Sequence, residues 1–483
     1  MTTPTTRRTP ICCLTILLVG ATGVTCAKPP EPRRLPILAA GARRAPTAGA
    51  ANRRHGDVLV ALCLSGGGSR AAYLGEQVLE QLHRIRLDVG GRSVSLLDEV
   101  DYISGVSGGS LPAAYHAAWW PFDRKDPQRY FARFRKTMAT DIQGRVFWSM
   151  TTPRGFGRLV FTKTVRTDYL ARYFHQKFLG GATFGHLRRH AAAGLAPVVM
   201  LNAIIYDAER FHQGRKFVFT TLKSTDFHLP TLPGQSPQLL GRTLGVVTPD
   251  DLGLGLDRLQ VARGVAASAA FPVLLAPLRI RDERAKKKRF IMLGDGGIYD
   301  NLGLETATQR LQKVLRTEAY SGALLIVVNA EQPYRFRAGM SVVGVISALT
   351  QQRARTLSQL VLRGLRRARR PIHTIEIALR KGGSSEDVTR RLAKIPTNFH
   401  ISIKNQRLVE AAVARLFRQQ RAALVSAAQT LARRPTSPPS TSHARASSPP
   451  PEGVERVQPR PRQRPRTRPT ATPGKPIDPP PSR

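Results

Sequence analysis

The chain has 483 residues, 41% of them hydrophobic and 6% aromatic, with a formal net charge of +43. The apolar share supports a substantial core and excludes a wholly disordered chain, and the length suits one large α/β unit, which commonly exceeds about 250 residues. Of the four cysteines, Cys12, Cys13 and Cys26 lie in or at the end of an N-terminal leader, so only Cys63 remains; this excludes a disulfide framework and a Cys cluster for zinc, and no His-Glu-x-x-His pattern occurs.

In chain order, Arg7 and Arg8 precede an apolar run from Ile11 to Val24. That run is shorter than the roughly 20 residues of a membrane span and matches the core of a signal peptide. Residues 1–27 are therefore read as a leader, and the protein is expected to be exported: secreted, periplasmic or membrane-anchored. Its end has several readings: cleavage at Thr25-Cys26-Ala27, lipidation of Cys26 in a degenerate lipoprotein box with Gly23 at the leucine-like position, or an uncleaved anchor. The paired arginines also fit twin-arginine export. Residues 28–55, rich in Ala, Pro and Arg and without periodicity, read as a linker, and 56–433 as the folded domain.

That domain opens with Asp57–Leu64, a buried-strand run, followed by Ser65-Gly66-Gly67-Gly68-Ser69-Arg70 and a helical pattern over Ala71–Leu82. A glycine triplet at a helix N-terminus lets backbone N–H groups converge on an anion, and no Gly-Lys-Ser/Thr follows to make it a nucleotide loop. Next comes Gly105-Val106-Ser107-Gly108-Gly109, in which Gly105 and Gly109 flank Ser107 between an apolar stretch and a helical one. This reads as a nucleophile elbow, where side chains at the flanking positions would collide. The weakly periodic region from Trp119 to Gly185 is the place for a lid or acyl-chain cap, and Ala196–Tyr206 is a buried strand.

Further on, a strand over Arg289–Gly294 runs into Asp295-Gly296-Gly297, placing an aspartate at a strand end beside two small residues. A helix is predicted over Glu305–Leu315, a strand over Ala323–Ala330, and a helix over Arg407–Ala432. In Gln351–Arg370 the residues Leu357, Leu360, Val361 and Leu365 follow helical spacing among seven arginines, which fits either an anionic membrane surface or an apolar stripe packed on the domain. Residues 434–483 are dominated by Pro, Ser, Thr and Arg and are expected to be disordered. The body itself is strongly basic, yet no nucleic-acid motif with stacking aromatics accompanies the charge, so no specific nucleic-acid partner is expected.

Taken together, Gly66-Gly67-Gly68-Ser69-Arg70, Gly105-Val106-Ser107-Gly108-Gly109, Ala267-Ser268-Ala269-Ala270-Phe271-Pro272 and Asp295-Gly296-Gly297 resemble, in this order, the sequence blocks of the patatin-like phospholipase family. The resemblance spans roughly residues 57–415. It implies a three-layer α/β/α hydrolase-like domain and a Ser-Asp dyad without a histidine. Ser107 is then the nucleophile, Asp295 its base, and the Gly66, Gly67 and Gly68 backbone with Arg70 the oxyanion stabiliser. The substrate implied is a lipid ester, with no cofactor and no metal, and an anionic membrane surface is the expected partner. Two alternatives stand beside it: a Ser-Asp-His carboxylesterase using His373 or His400, and a non-catalytic, basic envelope-binding protein.

Overall fold

In the strand β1 (Val58–Leu64), Leu59, Ala61 and Cys63 pack on one side while Val60, Leu62 and Leu64 pack on the other. A strand apolar on both faces belongs inside a sheet covered on both sides. The computed structural model describes residues 33–36, 58–89, 91–145, 165–206, 216–227, 245–272, 274–332, 342–365 and 370–432. The leader, residues 434–483 and most of the linker lie outside these. The described part of the linker is not free chain: Leu35 is buried, its N–H donates to Gly180 O (2.8 Å), and Arg33 pairs with Asp123 (3.0 Å).

The other strands are β2 (Arg86–Val89), β3 (Arg92–Ser95), β4 (Val100–Val106), β5 (Val198–Ile205), β6 (Lys216–Phe219), β7 (Val246–Val247), β8 (Leu278–Asp282), β9 (Arg289–Asp295), β10 (Gly322–Asn329) and β11 (Ile372–Ala378). The helices are α1 (Gly68–Arg84), α2 (Ser110–Asp123), α3 (Pro127–Met138), α4 (Arg166–Tyr173), α5 (Phe184–Ala192), α6 (Val261–Ser268), α7 (Leu304–Thr317), α8 (Val342–Leu365), α9 (Glu386–Ala393) and α10 (Ile403–Ala432). The main sheet runs β11-β10-β1-β4-β5-β6-β7; the first five strands are parallel, and a β8–β9 hairpin joins β5 through β9. One face packs against α1, α2, α3 and α10, the other against α7 and the end of α8, which makes the three layers of an α/β/α domain.

The register explains how the two ends that matter meet. Asn202 of β5 pairs with Val106 on one edge and with Val218 of β6 on the other; one residue later, Ala203 pairs with Asp295 and with Phe217 of β6. The strand β9 therefore takes the slot beside β5 that β4 leaves when it ends. It runs antiparallel, so Asp295 arrives head-on at Ser107.

Three expectations are adjusted. The helix after the glycine loop starts at Gly68, inside the triplet. The region from Trp119 to Gly185 is largely helical where it is described, and Trp119, Trp120, Phe131 and Phe134 are core residues; residues 146–164 lie outside the description. In Gln351–Arg370 the helix is described as far as Leu365, which is buried; residues 366–369 lie outside the description, and Arg370 donates to the carbonyls of Glu318 and Tyr320. Its stripe is split: Val361 and Leu365 pack on the domain while Leu360 is exposed.

Candidate active site

Chain reversal at the end of β4 puts Ser107 at φ 50, the one non-glycine residue with positive φ among those described. Such a conformation costs a side-chain-bearing residue about 1–2 kcal/mol and persists only where its surroundings hold it. The flanking glycines have no room for anything larger. A Cβ on Gly105 would lie 2.8 Å from Ser110 Cα, and one on Gly109 would lie 2.4 Å from Leu64 O. After a short 3-10 turn the chain enters α2 at Ser110.

Ser107 Oγ donates to Asp295 Oδ2 at 2.8 Å, and the other carboxylate oxygen accepts Gly297 N–H at 2.7 Å. Asp295 is buried, and burial pushes its carboxyl up to about 7, against the pull of the bonds from Gly297 and Ser107. A carboxylate with that proton affinity, touching a hydroxyl, can accept and return a proton near neutral pH. Gly296 lets this turn close, since a Cβ there would lie 2.3 Å from Asn202 O.

The glycine loop lies against the elbow: a Cβ on Gly108 would sit 2.1 Å from Gly68 O, and one on Gly66 would sit 3.3 Å from Ser107 Cβ. Its three amides are not equivalent. Gly66 N–H is engaged by Asn301 O (2.9 Å), whereas those of Gly67 and Gly68 have no hydrogen-bond partner among the described residues. The Gly108 N–H, just after the serine, is likewise without one. Arg70 is buried, donating from Nε to Ala330 O (3.1 Å) and from Nη1 to Ile395 O (2.5 Å), while Nη2 faces Gly67. Its guanidinium thus ties the start of α1 to the end of β10 and to the loop after α9. Burial lowers it to about 10, so it is charged at neutral pH.

Two residues to which sequence reasoning assigned no role hold the elbow from behind. Ser268 Oγ accepts Ser107 N–H (2.9 Å), donates to Asn202 O (2.5 Å) and lies 2.8 Å from Ser110 Oγ. Asn202 Nδ2 donates to Gly105 O and to Ser104 Oγ, each at 2.9 Å, and Asn202 Oδ1 accepts from Thr306 (2.7 Å). The signal for Asn202 was a lone amide within an otherwise apolar strand run; Ser268 stood in the Ala-Ser-x-Ala block without a partner to explain it.

Ser107 and Asp295 open onto a pocket of about 440 Å³. One part of its wall is apolar, including Leu111, Ile142, Phe174, Val265, Phe271 and Leu274; another is polar, with Asn301, Glu331, Gln332 and Asn398. Ile142 and Phe174 come from the region expected to cap the serine. Such a lining accepts an apolar chain beside a polar group.

Neither candidate histidine reaches this site. His373 pairs with Leu324 near the amino end of β11, whereas Ser107 follows the carboxyl end of the parallel strand β4. His400 stands with Nδ1 3.9 Å from Asp141 Oδ1, and among the described residues no histidine lines the pocket. Among the described residues, no histidine is hydrogen-bonded to Ser107 or Asp295.

A family model described as patatin-like phospholipase matches residues 62–308. Among solved structures, human GIVD cytosolic phospholipase A2 matches at 12% identity with a TM-score of 0.45, covering 77% of this chain and 60% of that one. The same human enzyme in complex with methyl gamma-linolenyl fluorophosphonate matches at 14% identity with a TM-score of 0.42, covering 77% and 59%. The chain thus spans about three fifths of the length of these structures. A search of curated proteins finds no match.

Proposed function

Since the chain belongs to the patatin-like phospholipase family, we propose that it is a serine acyl hydrolase that cleaves carboxylic ester bonds of lipids through Ser107 and Asp295. The observation that carries this reading is the 2.8 Å bond from Ser107 Oγ to the buried Asp295, at a strained φ of 50, facing a part-apolar pocket.

The chemistry balances without another group. Asp295 takes the hydroxyl proton as Ser107 Oγ bonds to the ester carbonyl carbon. The carbonyl oxygen becomes an oxyanion, for which the Gly67, Gly68 and Gly108 amides are the donors left open; one such donor is typically worth 10²–10³ in rate. Collapse breaks the ester C–O bond, and the leaving alkoxide takes the proton from Asp295. Water then attacks the acyl-serine, gives a proton to Asp295, and the acid leaves as Ser107 regains its hydrogen. Arg70 acts as a positioning residue for the loop that carries two of those amides. The apolar wall takes the acyl chain and the polar one the alcohol side. Export through the leader and attraction of the basic body to anionic membranes belong to the same reading.

The test is covalent labelling. A fluorophosphonate ester should modify Ser107 in the folded protein, read by mass spectrometry of the active-site peptide, with Asp295→Asn slowing the labelling. Absence of label at Ser107, or labelling indifferent to Asp295, would sink the proposal.

A further inference from the structure

The strand that delivers Asp295 is one arm of the β8–β9 hairpin, and the hairpin runs away from the site in a definite direction. Tyr206, the residue after β5, donates its N–H to Met292 O (2.9 Å), so everything before Met292 extends past the carboxyl end of β5. At about 3.4 Å per residue the turn stands roughly 20 Å from Asp295. The two faces of the hairpin differ. Leu278, Ile280, Ile291 and Leu293 are buried, while Arg281 and Phe290, which pair across the strands, are exposed.

Between Arg279 and Arg289 there are seven basic and two acidic residues. Arg284 and Glu283 are spent on Asp250 and Arg258 of the neighbouring segment. Lys286, Lys287 and Lys288 are exposed, and no ion pair engages them among the described residues. Beside this turn lies Phe290, 38% exposed with the Arg279 guanidinium 5.4 Å from its ring centre; at the site end of the hairpin stands Leu274, 47% exposed on the pocket wall just before β8. A cationic turn, an exposed aromatic and an exposed pocket-lip leucine thus follow one another on the segment that leads to the reacting groups.

We propose that this hairpin is the element by which the protein sits on an anionic phospholipid surface, with Lys286, Lys287 and Lys288 among the headgroups and Phe290 and Leu274 at the acyl boundary. The choice of occupant rests on the lipid-hydrolase reading above. Charge complementarity and exposed apolar side chains favour a bilayer; a nucleic acid strand would want several stacking rings, and the hairpin offers one, already faced by Arg279. In α8, by contrast, Arg355 is engaged by Glu331 and Gln332 O, and the basic run 366–369 that follows lies outside the described residues.

The test separates binding from turnover. The full chain carrying Ser107→Ala is sedimented with phosphatidylcholine vesicles, or with vesicles that also hold about 30% phosphatidylglycerol. Binding should require phosphatidylglycerol. Each lysine near such a surface is worth about fivefold in partition, so the Lys286→Ala/Lys287→Ala/Lys288→Ala variant should lose on the order of a hundredfold. Raising salt from about 0.1 M to about 1 M should abolish most of the difference, and Phe290→Ser should weaken binding at either salt. In the Ser107 background the triple variant should cleave a soluble short-chain ester at the unchanged rate, which also reports its folding. Equal partition of triple variant and parent, equal binding to both vesicle types, or lysine-dependent capture of duplex DNA in preference to vesicles would each overturn the proposal. Lysine-dependent vesicle binding by a chain that never cleaves the ester would instead remove the hydrolase reading and leave the docking surface.

Discussion

Asp295 and Asp300 are buried carboxylates five residues apart at the two ends of one turn, and they do different things. Burial raises both, Asp295 to about 7 and Asp300 to about 6. Asp300 spends its oxygens on the backbone N–H groups of Leu302 (3.2 Å), Gly303 (3.0 Å) and Glu305 (2.8 Å), anchoring the start of α7. Asp295 accepts one backbone N–H and one hydroxyl. Perturbed proton affinity alone does not distinguish a base from a brace. The partner does: an amide never yields its proton, whereas a serine hydroxyl can.

Several experiments break or sharpen that contrast. The largest effect is expected for Ser107→Ala and Asp295→Asn, each lowering kcat by at least about 10⁴ with folding intact, and the double variant falling no further, because both remove one proton-transfer unit. Additive losses in kcat would show that the two act separately. Asp300→Ala should do the reverse, costing about 2–4 kcal/mol of stability in denaturant titration as three N–H groups lose their acceptor, while kcat drops less than tenfold.

Ser268→Ala leaves the proton path in place but frees the Ser107 amide, so kcat should fall about 10- to 100-fold with KM little changed. Equal losses in kcat and thermal stability alone, without slower fluorophosphonate labelling, would make Ser268 merely structural.

The pH dependence follows from the raised carboxyl. Only ionised Asp295 accepts a proton, so kcat/KM should climb about tenfold per pH unit up to about 7 and then level off. Stability moves the other way. The unfolded carboxyl ionises near 4 and the folded one near 7, so the native state binds more protons in that window and this group's contribution is lost as pH rises through it. Asp295→Asn should therefore gain about 1–3 kcal/mol relative to the parent at pH 8 compared with pH 5. A melting difference independent of pH would contradict the buried-base assignment. The smallest expected effect is that of a chelator, which should leave ester cleavage unchanged, since the open amides already supply the electrophile.

Much of the site was legible because its constraints are local. Gly105, Gly109 and Gly296 are glycines because backbone atoms stand within 3 Å of where a Cβ would be, and that requirement is written into a few consecutive residues. Apolar runs such as Ala323–Ala330 name buried strands in the same way, with β10 observed at Gly322–Asn329. The helices described between Trp119 and Gly185 were less legible, because tertiary packing rather than periodicity sets them there.

By itself, then, the sequence determined the glycine turns at the site, the strands β1, β5, β9 and β10, and the identities of Ser107 and Asp295 as candidates. Only the tertiary structure decided that β4 and β9 share one slot beside β5, that Arg70 is bound to carbonyls, that Gly66 differs from Gly67 and Gly68, and that Ser268 and Asn202 stand behind the elbow. The reason is physical: a glycine's need for space is met by its immediate neighbours, whereas a hydrogen bond between residues about a hundred or more positions apart exists only once strand register has brought them together.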